Sequence, residues 1–127
     1  MGDHEDPEEM SVRLAETLPP RELKLFKKAL GLLRSGKGVL ALAEGQDGML
    51  VDGLGVYEAL LARSWAVRYD DPKEMCHLAN VAREVSEAFD VATYGEKQVR
   101  DLQARAWGEL ANAYRVANRY REAQQAF

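Results

Sequence analysis

The sequence predicts an all-α protein built from antiparallel helical hairpins, with about six helices in its 127 residues. Three observations favour this class. Apolar residues recur at the three- and four-residue spacing of a helix along most of the chain. The pairs Asp6-Pro7 and Asp71-Pro72 are typical of helix starts. Glycines interrupt few segments, because six of the ten lie between residues 36 and 55.

Prolines set the bounds of the first two helices. The first begins after Asp6 and ends near Leu18, since Pro19 and Pro20 cannot continue it. The second begins at Pro20 and runs to about Ser35. Its apolar residues recur on one face: Leu23, Phe26, Leu30 and Leu33.

The middle of the chain is irregular and then helical again. The glycine-rich residues 36–55 predict irregular and short-helical structure. Asp52 can cap a third helix over 53–69, and Asp71 can cap a fourth over 72–89. The apolar face of the fourth helix comprises Met75, Leu78, Ala79, Ala82, Val85 and Phe89.

The last third predicts two more helices. Thr93 and Glu96 form a capping box, in which each side chain satisfies a free amide at the helix start. The fifth helix then runs to about Ala117, Asn118 caps its end, and a sixth begins at Arg119. Three segments result: an acidic arm with a short helix (1–19), a basic helix with a glycine-rich connector (20–52), and helical hairpins (53–127).

Composition and charge exclude several classes. Of the residues, 46% are hydrophobic and 30% are charged, which is typical of a globular domain. No apolar run reaches the ~18 residues that span a bilayer, and the acidic start does not resemble a secretory signal. The single cysteine excludes an internal disulfide framework. We therefore expect a cytoplasmic protein with no membrane contact.

Charge is divided unevenly along the chain. Residues 1–16 carry six acids against one base, and residues 21–37 carry six bases against one acid. A solvated basic helix is the main interpretation of the second segment. Contact with nucleic acid through Arg21, Lys24 and Lys28 is the alternative, although no aromatic platform accompanies these bases.

Catalytic motifs are absent from the sequence. GLLRSGKG (31–38) resembles a phosphate-binding loop, but it lies in a helix and has glycine where the magnesium-binding hydroxyl belongs. Cys76 and His77 are adjacent on a helix and so point about 100° apart; Cys76 is interpreted as a small buried hydrophobe. Asp70 and Asp71 are interpreted as caps. We expect a non-catalytic protein with no metal and no cofactor.

The C-terminal stretch AWGELANAYRVANRYREAQQAF carries a spaced pattern. From Trp107, Leu110, Ala111 and Tyr114 follow at +3, +4 and +7, and Tyr120, Ala123 and Phe127 at +13, +16 and +20. This pattern resembles the tetratricopeptide repeat (TPR), a helix–turn–helix unit of 34 residues, with Ala111 replacing the usual glycine. The match covers 104–127, and a weaker one places Ser64 and Cys76 at the small positions of an earlier repeat. The whole is similar to uncharacterised bacterial TPR-containing proteins.

The resemblance implies a fold and a function. The fold would be a fragment of a TPR-like right-handed solenoid. The function would be a non-catalytic scaffold whose groove binds a partner peptide or helix, with an acidic segment as our hypothesis for the ligand. The implied groove residues are Arg105, Gly108, Asn112, Arg115 and Val116.

The truncated second helix has a further implication. A repeat array normally shields its last helix, so Tyr114, Tyr120 and Phe127 would form a face for self-association into a homo-oligomer.

Two other functions stay open. One is a regulatory protein that contacts nucleic acid through helix 21–37 while its repeats bind a protein or signal. The other is an enzyme with a pocket near His77 or residues 45–55.

Overall fold

The computed structural model describes residues 13–35 and 53–125, and the regular secondary structure of these residues is all helical, with no strand. Residues 13–15 form a helical turn. Five bounded helices follow within the described ranges: α1 (Pro20–Arg34), α2 (Leu54–Ala66), α3 (Pro72–Glu87), α4 (Val91–Tyr94) and α5 (Glu96–Gln125). The all-α prediction is confirmed.

Helix α2 forms the centre of the core. All nine residues from Leu54 to Ala62 are buried, and so is Ser64. A helix that is apolar on nearly all sides must be surrounded by other elements. Here α1, α3 and α5 surround it, and the aromatic rings of Phe89 and Tyr94 extend the core beside Tyr57.

Helices α1 and α2 run in the same direction. Glu22, near the start of α1, accepts hydrogen bonds from the amides of Leu54 and Gly55 at 2.5 and 3.0 Å. A Cβ added at Gly55 would lie 2.2 Å from the Glu22 carbonyl oxygen, so the two backbones touch. This pair is therefore not one of the predicted antiparallel hairpins, since residues 36–52 connect the end of α1 to the start of α2.

Helices α2 and α3 form an antiparallel hairpin around the Asp71-Pro72 turn. The Asp71 carboxylate accepts a hydrogen bond from the Glu74 amide at 3.1 Å, which confirms the predicted cap. Ser64 is buried and donates to the Met75 carbonyl at 2.8 Å. A small hydroxyl residue thus lies where the two helices approach closely. The residues predicted for the apolar face of α3 are all buried.

The start of α5 corrects the predicted capping box. Thr93 lies inside the short helix α4, whose cap is Asp90, and its hydroxyl donates to the Asp90 carboxylate at 2.7 Å. Helix α5 instead begins after Gly95, which has a φ of 88°. Thr93 fails as the cap because the nearby aspartate captures its hydroxyl.

Helix α5 also corrects the predicted break at Asn118. The helix is continuous from Glu96 to Gln125, so no turn separates a fifth helix from a sixth. It packs antiparallel to α3, because Ser86 contacts Gln103 while Cys76, earlier in α3, lines a cleft with Tyr114. The predicted helix start before residue 13, the cap Asp52 and most of the predicted connector lie outside the described residues.

Candidate functional site

Two large aromatic residues are exposed on α5. Trp107 retains 53% of its surface and Tyr114 retains 57%. They are seven residues apart, which is close to two helical turns, so they lie on the same side. The buried stripe of α5 consists of other residues: Val99, Ala106, Leu110 and Ala113.

Trp107 stacks with a cation from α3. The guanidinium carbon of Arg83 lies 4.9 Å from the centre of the indole ring. Arg83 is fixed there because it donates to the Asn80 side-chain oxygen at 3.1 Å and to Glu87 at 2.8 Å. Such cation–π contacts orient the ring while leaving much of its surface open.

Tyr114 borders a cleft of about 600 Å³ between the start of α3 and the second half of α5. Burial raises the pKa of the Cys76 thiol in this cleft, and the charge of Arg121 opposes the shift. The thiol therefore stays protonated and behaves as a weakly polar wall. The cleft is lined by Asp70, Asp71, Pro72, Lys73, Cys76, Tyr114, Ala117 and Arg121.

These features form one surface. We call it the α3–α5 face and define it by Lys73, Cys76 and Arg83 of α3 and Trp107, Tyr114 and Arg121 of α5. It combines two aromatic rings with bases, and Asp70 and Asp71 lie at the cleft end. Aromatic residues and arginine are the side chains most enriched where proteins bind one another.

The structure gives Arg105 a role inside the chain rather than in an open groove. Its guanidinium donates to both oxygens of Glu58 of α2, at 2.6 and 3.0 Å. The Glu58 side chain is 7% exposed and that of Arg105 is 31% exposed. Burial alone would lower the pKa of Arg105, but the hydrogen bond and charge of Glu58 outweigh it and raise the pKa. The carboxylate that Arg105 binds is thus in its own chain.

The other implied groove residues differ in exposure and in their contacts. Arg115 is exposed and donates to the side-chain oxygen of Asn112. Val116 is half-buried and packs on the core, whereas Gly108 is exposed. Of the predicted self-association residues, Tyr114 is exposed, Tyr120 lies within α5, and Phe127 lies outside the described residues.

The predicted basic patch lies on the surface of α1. Arg21, Lys24 and Lys28 are all exposed. Their spacing of three and seven residues places them on one face of the helix. This face is separate from the α3–α5 face, because α1 packs mainly on α2.

The remaining candidates form no recognisable reactive constellation in the described part of the chain. His77 is exposed, and Cys76 is half-buried rather than fully buried. No group of three or more His, Cys, Asp and Glu side chains in residues 13–35 and 53–125 is arranged to hold a metal ion. Among the described helices, none is long and apolar enough to cross a membrane.

Sequence reasoning missed Arg83 and Lys73 as site residues. A signal was present, because Arg83 lies seven residues after Cys76 and shares its side of α3. The contact with Trp107 could not be read from this spacing, since it depends on how α3 and α5 pack.

Comparison with protein-family models, with curated proteins and with solved structures gives no match. The resemblance of residues 104–127 to the TPR stays a prediction.

Proposed function

We propose that this chain is a non-catalytic, cytoplasmic protein interaction module, and that a protein partner binds the α3–α5 face. One observation carries the proposal: Trp107 and Tyr114 are both more than half exposed on one side of α5, beside a cleft. Exposed aromatic pairs next to a concave surface are common at protein–protein interfaces.

The charges of this face suit a polar rim around an apolar centre. Lys73 and Arg121 border the cleft together with two aspartates, and Arg83 lies over Trp107. The charged groups would steer and orient a partner, and the aromatic rings would lose their water on contact. A partner segment with an apolar residue followed by mixed charges fits this arrangement.

The order of packing supports a module related to helical repeats. Helix α1 packs mainly on α2, α2 on α3 and α3 on α5, while α5 reaches α2 through Arg105 and the backbone of Leu102. Helices packed in series, each mainly on its neighbours, are typical of solenoids. Ser64, buried where it donates to the Met75 carbonyl of α3, agrees with the small position of the weaker repeat. A TPR-like array remains part of the proposal.

Site-specific photo-crosslinking tests the proposal. A photoreactive phenylalanine analogue would replace Tyr114 in one variant and Tyr69 in a control variant. Tyr69 is a fair control because it is an exposed tyrosine, 63% accessible, outside the α3–α5 face. In source cells we expect a discrete protein adduct from position 114 and none from position 69. Equal labelling from both positions, or none from 114, would refute the proposal.

A second candidate function is contact with nucleic acid through α1. The observation that favours it is the row of three exposed bases, Arg21, Lys24 and Lys28. Such a surface binds phosphates with a strong salt dependence. Duplex binding that weakens steeply with salt and is lost in a Lys24→Glu/Lys28→Glu variant would favour this function, and salt-independent or absent binding would exclude it.

A further inference from the structure

The outward side of α5 offers room for another helix. Its centre consists of small exposed residues, Ala104, Gly108 and Ala111. A Cβ added at Gly108 would meet no atom within 4 Å. Small residues let two helix backbones approach closely, although small residues alone do not say what the second helix is.

The aromatic residues provide the first indication of the partner. Trp107 and Tyr114 lie on the flank of α5 nearer to α3, where they contact Arg83 and line the Cys76 cleft. In an antiparallel pair related by a two-fold axis, residues on one flank meet the same flank of the other copy. A two-fold axis that passes between residues 110 and 111 places Trp107 of each copy against Tyr114 of the other, so two such pairs form.

The charges on the opposite flank provide a second, independent indication. Asp101 and Arg119 are eighteen residues apart, which is five full helical turns, so they point in the same direction. Both are exposed. The midpoint between them is residue 110, which differs from the aromatic midpoint by half a residue, or about 0.8 Å along the axis. The same two-fold axis therefore pairs Asp101 with Arg119 of the second copy.

We propose that the partner on this surface is a second copy of the chain, with the two α5 helices antiparallel and crossing near Ala111. The inference rests on the proposed function, because it uses Trp107 and Tyr114 of the α3–α5 face. Two aromatic pairs lie on one flank and two opposite-charge pairs on the other. Ala104, Gly108 and Ala111 lie at the centre, and the exposed Arg115 follows them on the same stripe. In this register the aromatic pairs and the charge pairs share nearly the same two-fold axis.

Sedimentation equilibrium of the full chain tests the register. We expect a reversible dimer with twice the 14.2 kDa mass of one chain. Asp101→Arg alone and Arg119→Asp alone each place like charges together and should weaken dimerisation roughly tenfold. The double variant Asp101→Arg/Arg119→Asp restores the pairs and should return the affinity to that of the wild type.

A matched control and two contradicting outcomes complete the test. Lys24→Glu reverses a charge on α1, away from the interface, and should leave the dimer unchanged. A monomer at every concentration overturns the inference, and so does a dimer in which the double variant is as weak as either single variant. If the chain is a monomer in sedimentation but position 114 still crosslinks to a different protein in cells, the inference of a second copy is wrong and the proposed function is supported. Circular dichroism of each variant verifies that it is folded.

Discussion

The Glu58–Arg105 pair gives the sharpest prediction about stability. Arg105→Ala would leave the Glu58 carboxylate, 7% exposed, without its two hydrogen bonds. Breaking a fully buried pair costs about 3–5 kcal/mol. The Arg105 side chain is 31% exposed, so water can partly replace it beside Glu58. We therefore expect the free energy of unfolding to fall by about 2–4 kcal/mol.

Urea unfolding followed by circular dichroism measures this loss as a lower transition midpoint. Arg115→Ala is the matched control, because Arg115 is exposed and donates a hydrogen bond to Asn112 of its own helix. That change should alter the free energy of unfolding by at most about 0.5 kcal/mol. Replacing both Glu58 and Arg105 by leucine removes the buried charge and should cost less than Arg105→Ala.

The reasoning is refuted if Arg105→Ala and Arg115→Ala lower stability equally. It is also refuted if the double leucine variant is less stable than Arg105→Ala. Either result would mean that Glu58 is not a desolvated charge held by Arg105. The experiment also bears on function. If Arg105→Ala unfolds part of the chain population, partner binding would fall for that reason, even if Arg105 contacts no partner.

Four further predictions concern single positions. Gly55→Ala should destabilise the chain strongly in urea unfolding, because its Cβ would lie 2.2 Å from a backbone oxygen of α1. Gly31→Ala, in open space within a helix, should stabilise the chain by about 0.5–1 kcal/mol in the same assay. Glu22→Ala should cost about 1 kcal/mol, measured by urea unfolding, because two amides at the start of α2 lose their acceptor. Burial raises the pKa of Tyr57 well above its ordinary value. The free energy of unfolding should therefore be constant below pH ~10 and fall above it. In an absorbance titration, one of the five tyrosines should ionise only when the chain unfolds. The raised pKa of Cys76 predicts slower alkylation by iodoacetamide near pH 8 in the folded chain than in urea, and equal rates would contradict it.

Helices with strong local signals were predictable from the sequence. The start of α3 followed from the Asp71-Pro72 pair and its buried face from a regular apolar spacing, and the structure confirms both; the helix ends at Glu87 rather than near residue 89. The buried face of α1 was predictable for the same reason. Such signals act within a few residues and need no tertiary information.

Competition between weak local signals explains the errors in α4 and α5. Thr93 can cap a helix, but Asp90 three residues earlier takes its hydroxyl. Asn118 is only mildly unfavourable within a helix, so favourable neighbours carry α5 through it to Gln125. The strongest helix breakers, proline and glycine, do not occur between Gly108 and the end of α5.

Non-local pairing explains what the sequence could not provide about the site. Arg105 has its carboxylate 47 residues away in α2, and no helical spacing reveals that contact. The parallel direction of α1 and α2 likewise depends on Gly55 and Glu22, which are far apart in sequence. The contact of Arg83 with the ring of Trp107 likewise depends on how α3 and α5 pack.

Oxidative footprinting in intact source cells tests the central claim most directly. It compares the hydroxyl-radical labelling of Trp107, Tyr114 and Tyr69 in cells with that of the dilute purified chain. The three residues have similar exposures of 53%, 57% and 63%, so they start from comparable reactivity to solvent. If the α3–α5 face is covered by a partner, Trp107 and Tyr114 will be protected in cells while Tyr69 is labelled as before. Equal labelling of all three residues in both conditions would contradict the account.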